Sequence, residues 1–345
     1  MSIPLCTGFE PFASWPVAER SERLLGTARI LVTGSSGFVG RHVVRELCAQ
    51  GAQVTGLDRV APRARPEGWQ FVLGDVSESQ GIAPMLATLQ PTHVIHLAGV
   101  LEQAGLDHAA QLNGNVIATM RLLDAIIASR CAPRVLIASS SAVYGRARPE
   151  ELPLREESPL RPVTPYGISK VAQEMMALQY HLSQQLWTVR VRSFNLIGPE
   201  QPAGFLPSDV ARQIVAAERG QAPAVIRVGS LSPRRDYTDV RDAARAYALL
   251  AMHGAAGAVY NVCTGRSVAI KECVERLIGF STVPVQIEAE ASKMRATGIS
   301  EQVGSRERLT QATGWQPQVA FEQSLRDLLE TCRIGVQETA WSVPA

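Results

Sequence analysis

Residues 33–40 read T-G-S-S-G-F-V-G and stand between a short apolar run, A-R-I-L-V-T-G (28–34), and a helical pattern, F-V-G-R-H-V-V-R-E-L-C-A-Q-G (38–51). Val39, Val43, Val44 and Leu47 recur at helical spacing, and Gly51 stops the pattern. Strand, tight turn and helix in this order constrain the fold more than any other stretch. Gly34, Gly37 and Gly40 let the backbone turn sharply and approach a ligand closely. Phe38 and Val39 then open a helix whose free N–H groups and dipole favour an anion such as a pyrophosphate. A Gly-rich turn alone also serves as a plain strand-to-helix connection, so its surroundings decide.

Those surroundings repeat the theme. Q-V-T-G-L-D-R (53–59), W-Q-F-V-L-G-D-V (69–76), T-H-V-I-H-L-A-G (92–99), R-V-L-I-A-S-S-S-A-V-Y-G (134–145, running into a loop) and W-T-V-R-V-R-S-F-N (187–195) read as further strands. A long helix is expected over 109–130 and another after Pro165. Strands apolar on both faces and separated by helices imply a parallel sheet covered on both sides, an α/β doubly wound fold of Rossmann type. Asp58 ends the second strand, where a carboxylate accepts hydrogen bonds from an adenosine ribose and favours NAD. Arg59 beside it can pair with a 2′-phosphate, which keeps NADP open. Asp75, followed by Val76, ends the third strand within reach of an adenine; an ordinary turn aspartate is the alternative.

The rhythm changes after about residue 198. G-P-E-Q-P-A-G-F-L-P-S-D is a proline- and glycine-rich loop, followed by a helix over about 208–219, the strand A-V-I-R-V-G and S-P-R-R-D-Y-T-D-V-R-D-A-A-R-A-Y-A-L-L. In the last stretch Asp239 can cap a helix, and Asp236, Asp239 and Asp242 read as caps and helix-face charges. The expected organisation is an N-terminal extension (1–26), a mainly dinucleotide-binding domain (27–197) and a smaller, mainly substrate-binding C-terminal lobe (198–335), some strands of which return to the first sheet. The extension has no basic-then-apolar pattern of a signal peptide. A formal charge of +2 in 345 residues offers no basic stripe for nucleic acid and no membrane anchor. Six scattered cysteines without a C-x-x-C pair point to reduced thiols in a cytoplasmic protein. His93 and His96 sit in or beside a buried strand at no zinc-binding spacing, so no metal is expected.

In P-V-T-P-Y-G-I-S-K-V-A-Q-E (162–174), Tyr166 and Lys170 share one helix face. A tyrosine of ordinary pKa near 10 is a poor base. An ammonium beside it, with a nicotinamide cation near, stabilises phenolate; lowering the pKa by about three units takes roughly 4 kcal/mol. Ser140 or Ser141, at a strand end, can polarise a substrate oxygen. Ser139–Ser141 also reads as a plain strand-end turn.

Together the stretches T-G-S-S-G-F-V-G, G-D (74–75), H-L-A-G, S-S-S-A-V-Y-G, P-Y-G-I-S-K and R-S-F-N-L-I-G-P resemble the extended short-chain dehydrogenase/reductase family over residues 28–330. The resemblance implies Ser140, Tyr166 and Lys170 as the catalytic set, with Lys170 also binding the nicotinamide ribose. It places Leu97, Ala98, Gly99 and Asn115 along the cofactor, Phe194 and Ile197 at the nicotinamide, and Ser141 and Asn195 toward substrate. It also implies a homodimer through the helices at about 109–130 and 165–184.

Extended members mostly act on nucleotide-diphosphate sugars. Three stretches of the second half are similar to GDP-4-keto-6-deoxymannose reductases in particular: G-F-L-P-S-D-V-A-R-Q-I-V-A-A-E-R-G, V-I-R-V-G-S-L-S-P-R-R-D-Y-T-D-V-R-D-A-A-R-A-Y and Y-N-V-C-T-G. Arg212 and Arg235 are candidate diphosphate contacts, since guanidinium forks match phosphate oxygens; each alone is a common surface arginine. Arg295 is a third candidate, although Ala296 and Gly298 stand where relatives often carry Pro and Asp. A 4,6-dehydratase of the family needs an Asp-Glu pair where this chain has Ser141 and Ala142. The expectation is NAD(P)-dependent 4-keto reduction. The alternatives are 4-epimerisation with retained NAD, and a non-catalytic dinucleotide sensor, which would usually lack the Tyr-x-x-x-Lys pair.

Overall fold

The computed structural model describes residues 25–62, 68–101, 107–293 and 298–334, the side chains at 79 and 80 excepted. Residues 1–24 of the expected extension and the candidate Arg295 lie outside the described residues.

In chain order the first half comprises β1 (Arg29–Thr33), α1 (Phe38–Ala49), β2 (Gln53–Asp58), β3 (Trp69–Leu73), α2 (Ser79–Leu89), β4 (His93–His96), α3 (His108–Leu112), α4 (Ala118–Ala128), β5 (Arg134–Ser140), α5 (Pro165–Gln184), β6 (Thr188–Ser193) and β7 (Asn195–Ile197). The second half comprises α6 (Leu206–Glu218), β8 (Val225–Val228), β9 (Arg234–Asp239), α7 (Val240–His253), β10 (Val259–Val262), β11 (Ser267–Ala269), α8 (Ile270–Ile278), β12 (Gln286–Ala289), β13 (Glu301–Gln302), α9 (Glu307–Thr313) and α10 (Phe321–Ile334).

Seven strands form one sheet in the order β10-β6-β5-β4-β1-β2-β3, and every pairing in it is parallel. β4 and β6 are buried along their whole length, which is why their sequences run apolar without alternation. One face packs on α1 and α7, where Val43, Val44 and Leu47 meet Ala243, Ala244 and Tyr247. The other packs on α2, α4 and α5 through Leu86, Leu122, Ile126 and Ala177. The strand order reverses direction between β1 and β4, which opens a crevice above their C-terminal ends.

The chain crosses to the lobe after β6, returns through α7 and β10, and leaves again. In the lobe β9 pairs with β7, β11 and β13, and β8 pairs with β12. Its own core centres on Ile197, Ile214, Val274 and Leu328.

The helix expected over 109–130 runs from His108 to Ala128, with a π-helical segment, Asn113–Ile117, joining α3 to α4. One expectation, that Asp236 is a cap or helix-face charge, is corrected. Asp236 is buried and accepts from Thr264 N (2.9 Å), Gly265 N (2.9 Å) and Gly304 N (3.3 Å), tying two loops to β9. Asp242, in the first turn of α7, does act as a helix charge: it pairs with Arg245 at 2.8 Å and, being buried, also accepts from Gln318 N (3.0 Å) and Val319 N (2.9 Å). Asp239 does cap its helix, accepting from Arg241 N at 2.8 Å.

Candidate active site

The crevice is built from backbone that cannot tolerate side chains. Gly34 has φ +70°, and a Cβ on it would lie 2.7 Å from Ala98 N, so the loops after β1 and β4 touch there. A Cβ on Gly40 would lie 2.0 Å from Gly34 O. Gly37 caps α1 without a side chain, leaving the helix N-terminus open. Phe38 and Val39 are half-buried behind it. This cradle, lined by N–H groups, fits a pyrophosphate. We expect Gly40→Ala to lose dinucleotide affinity by at least about tenfold, because the loop must open to admit the methyl group; calorimetric titration with NAD(H) and NADP(H) measures it.

At the end of β2 Asp58 accepts from Ser36 N (2.9 Å) and Val60 N (3.2 Å), which fixes its carboxylate beside the glycine loop. Arg59 is exposed, with its guanidinium 3.8 Å from Asp75. Asp75 also accepts from Ser77 N at 2.7 Å, the bond of a turn aspartate. Val76 is buried in the core and offers no side-chain surface to a ligand.

Leu97, Ala98 and Gly99 continue from β4 along the crevice. Asn115 is buried at the centre of the π-helical segment. Its amide accepts from Val100 N (2.7 Å) and donates to Val100 O (3.1 Å) and to Ser169 Oγ (2.9 Å). Asn115 thereby clamps the Gly99–Val100 turn onto α5. A Cβ on Gly99 would stand 3.6 Å from Lys170 Nζ, so this turn overlooks the lysine.

Ser140 ends β5, and its hydroxyl accepts from Ala142 N at 3.1 Å, capping the 3-10 turn Ser141–Val143. α5 begins with Thr164 capping Gly167 N (3.1 Å) and Pro165 in the first turn, where its missing N–H costs nothing. A Cβ on Gly167 would lie 2.8 Å from Ala142 O, so the helix start abuts the Ser140 turn only because residue 167 is glycine. Tyr166 is half-buried at this junction. The Lys170 Nζ lies 5.8 Å from the centre of its ring. Lys170 is buried, and burial lowers its pKa to about 8 against the opposing pull of Glu174. A hydroxyl, a phenol and an ammonium at the C-terminal edge of a sheet beside a dinucleotide cradle can polarise a carbonyl, move a proton and stabilise the phenolate left behind.

The remaining expected residues divide. Asn195 is half-buried at the start of β7. Arg235, half-buried, donates to Ile299 O (3.0 Å) and Arg234 O (2.8 Å) at the lobe side. Arg212 is half-buried on α6. Ser141 is buried, and its hydroxyl donates to Gln302 Oε1 (3.3 Å) while Gln302 Nε2 donates to Ser141 O (2.9 Å), so it bridges β5 to β13. Phe194 and Ile197 are both buried. Phe194 is 3% exposed and packs on Tyr144 and Cys263; Ile197 is wholly buried in the lobe core. The sequence reading did not single out Gln302, Gln173 or Thr119, polar residues that carry no motif.

Among the described residues no group of three or more His, Cys, Asp or Glu can hold a metal ion, and no helix is long and apolar enough to cross a membrane.

A seven-stranded Rossmann sheet with this cradle and a Tyr-x-x-x-Lys helix defines a dinucleotide-dependent enzyme of the extended short-chain dehydrogenase/reductase type. A family model described as GDP-mannose 4,6 dehydratase matches residues 31–328, and the chain belongs to that family. It is 35% identical over 314 residues to a GDP-6-deoxy-D-mannose reductase of Pseudomonas aeruginosa, covering 90% of this chain and 99% of the relative. It is 31% identical to a dTDP-6-deoxy-L-talose 4-dehydrogenase (NAD(P)(+)) of Kitasatospora kifunensis, covering 87% and 94%. Among solved structures, RMD from Pseudomonas aeruginosa complexed with NADPH superposes with a TM-score of 0.79 at 34% identity, covering 89% of this chain and 99% of that one. A Thermus thermophilus UDP-glucose 4-epimerase in complex with NAD gives 0.78 at 29%, covering 88% and 99%. The chain is an NAD(P)-dependent enzyme.

Proposed function

We propose that this enzyme reduces the 4-keto group of a nucleotide-diphosphate sugar, with Tyr166 as the acid that protonates the forming alkoxide. The observation that carries the reading is the Lys170 ammonium 5.8 Å from the Tyr166 ring centre, overlooked by the Gly99 turn. In this reading Ser140 and Tyr166 hydrogen-bond the keto oxygen. Hydride for C4 is what the dinucleotide supplies when bound. Tyr166 gives its proton to the oxygen, Lys170 steadies the phenolate, and solvent restores the proton. Arg212, Arg235 and Arg295 are the candidates for the substrate diphosphate, and Asn195 for the sugar. Asp58 suits the ribose hydroxyls of NAD(H), while the exposed Arg59 supplies a cation for the 2′-phosphate of NADP(H).

Two further points support reduction over dehydration and epimerisation. Ser141 and Ala142 occupy the positions where a dehydratase of this family needs Asp and Glu. Identity is 35% to the P. aeruginosa reductase and 27% to the Azospirillum brasilense UDP-glucose 4-epimerase. Incubation of a panel of nucleotide sugars, both 4-keto and 4-hydroxy, with NADPH or NADH decides between reduction and epimerisation. Reduction adds two hydrogens to the product mass with loss of absorbance at the nicotinamide band. An unchanged mass with inverted C4 from a 4-hydroxy sugar means epimerisation, and no reaction with any sugar of the panel revives the sensor reading.

The working unit in this proposal is a homodimer. Ile168, Met175 and Leu182 recur two helical turns apart on α5 and are exposed, as are Leu112 on α3 and Ile127 on α4. A second copy covering these helices would bury that apolar stripe. We expect a dimer mass in light scattering at micromolar concentration; a monomer mass overturns it. The five described cysteines are free thiols, in keeping with a reducing, cytoplasmic location.

A further inference from the structure

Behind Tyr166 a buried chain of side chains runs from the glycine loop to Lys170. The Lys170 ammonium donates to Ala138 O (3.0 Å) and to Gln173 Oε1 (2.8 Å). Gln173 Nε2 donates to Thr119 Oγ1 (2.7 Å), and the Thr119 hydroxyl donates to Asn115 O (2.6 Å). The Thr119 hydrogen being committed, His96 Nε2 at 2.8 Å must be a second donor to its oxygen. His96 Nδ1 is then an acceptor for the Thr33 hydroxyl at 2.7 Å, and Thr33 Oγ1 accepts from Ala98 N at 3.3 Å. His96, Thr119, Gln173 and Thr33 are all buried. Only one His96 tautomer and one Gln173 amide orientation satisfy every donor and acceptor. Burial, with the Lys170 charge added, lowers the His96 pKa to about 3, so the ring stays neutral and the pattern holds at working pH.

The chemistry of the acceptor matters. Gln173 gives the ammonium a neutral oxygen. The nearest carboxylate, Glu174, is turned away onto Arg192, whose guanidinium meets it at 2.7–3.1 Å. The titratable and charged groups around Lys170 are therefore Tyr166 and Glu174 on its own helix, His96 on β4 and Arg192 on β6. We infer that Gln173, held by Thr119 and His96, is a positioning residue that fixes the Lys170 ammonium through an uncharged acceptor and so sets where the Tyr166–Lys170 pair gives up its protons. The assignment rests on the reading of Tyr166 and Lys170 as the acid/base pair, yet it can fail independently of it.

The test exploits composition. The chain has three lysines, Lys170, Lys271 and Lys293. Full-length protein grown with lysine labelled with ¹³C at Cε therefore gives three cross-peaks, and Lys170→Met identifies one. The Lys170 signal is expected to titrate below the two others. Gln173→Glu places a carboxylate on the ammonium and raises that midpoint by about one pH unit or more. The alkaline limb of turnover moves up with it. Gln173→Leu lowers the midpoint and cuts kcat by about tenfold or more through misplacement, with the sugar KM little changed. Thr119→Val, which frees the Gln173 amide, moves the midpoint down as well and serves if Gln173→Glu does not fold. A Lys170 midpoint unmoved in the folded variants overturns the proposal whatever their activity. Turnover retained by Tyr166→Phe overturns the acid/base reading instead and leaves the lysine titration interpretable.

Discussion

Replacing Tyr166 with phenylalanine is expected to reduce turnover by roughly 10²–10⁴-fold, the range for removal of a positioned general acid or base, while dinucleotide affinity stays within a few-fold. The asymmetry follows from where the hydroxyl sits. In the proposed reading Gly34, Gly37 and Gly40 take the pyrophosphate at the other end of the crevice, and Asp58 takes the adenosine. Phenylalanine keeps the ring beside the abutment of Gly167 and Ala142, so the substitution preserves its bulk there. Lys170→Met should differ. In the proposed mechanism it removes the cation that stabilises phenolate and also the ammonium below the Gly99 turn, so affinity and turnover should fall together. Stopped-flow binding and steady-state reduction on the same preparations separate the two patterns. A phenylalanine variant that turns over at the wild-type rate would remove the phenol from the mechanism.

What the chain declares about this site, it declares where a local rule leaves no freedom. Gly34 needs a left-handed backbone and Gly40 a missing Cβ, so the cradle is legible from eight letters. Tyr166 and Lys170 meet because one helical turn aligns positions four apart. The parallel sheet is legible because β4 and β6 have no polar face. Orientation set by distant partners is not legible. Ser141 looks like an open hydroxyl until Gln302, 161 residues away, closes on it. Ile197 follows the active-site strand in sequence, yet the lobe core turns it inward. Asp236 resembles a cap until the backbones of Thr264, Gly265 and Gly304 converge on it. The π-helical segment at Asn115 answers to the Gly99–Val100 turn, not to helix propensity.

The same limit hides the strongest electrostatic element beneath the site. Arg192 on β6 and Glu174 on α5 form an ion pair at 2.7 Å with side chains 4% and 0% exposed. Glu174 also accepts from Ser139 Oγ at 2.5 Å, and Arg192 donates to Tyr144 Oη (3.0 Å) and Glu156 O (2.9 Å). Removing the cation alone strands a carboxylate in the core, which costs about 3–5 kcal/mol. Arg192→Met is therefore expected to lower Tm by about 10 °C, taking roughly 2–4 °C per kcal/mol for a large domain. Glu174→Leu combined with Arg192→Met removes both charges and should recover most of that loss, since an apolar pair of similar volume is often neutral in place of a buried ion pair. A double variant as unstable as the sum of the single ones would mean that the hydrogen bonds to Ser139, Tyr144 and Glu156, and not the stranded charge, dominate. The pair also governs chemistry. With Arg192 gone, the Glu174 charge acts unopposed on Lys170 one turn back, so the lysine midpoint should rise in Arg192→Met and fall back in the double variant. Heat stability and the ionisation of the active-site lysine would then move in opposite directions in one substitution, which a general loosening of the core cannot produce.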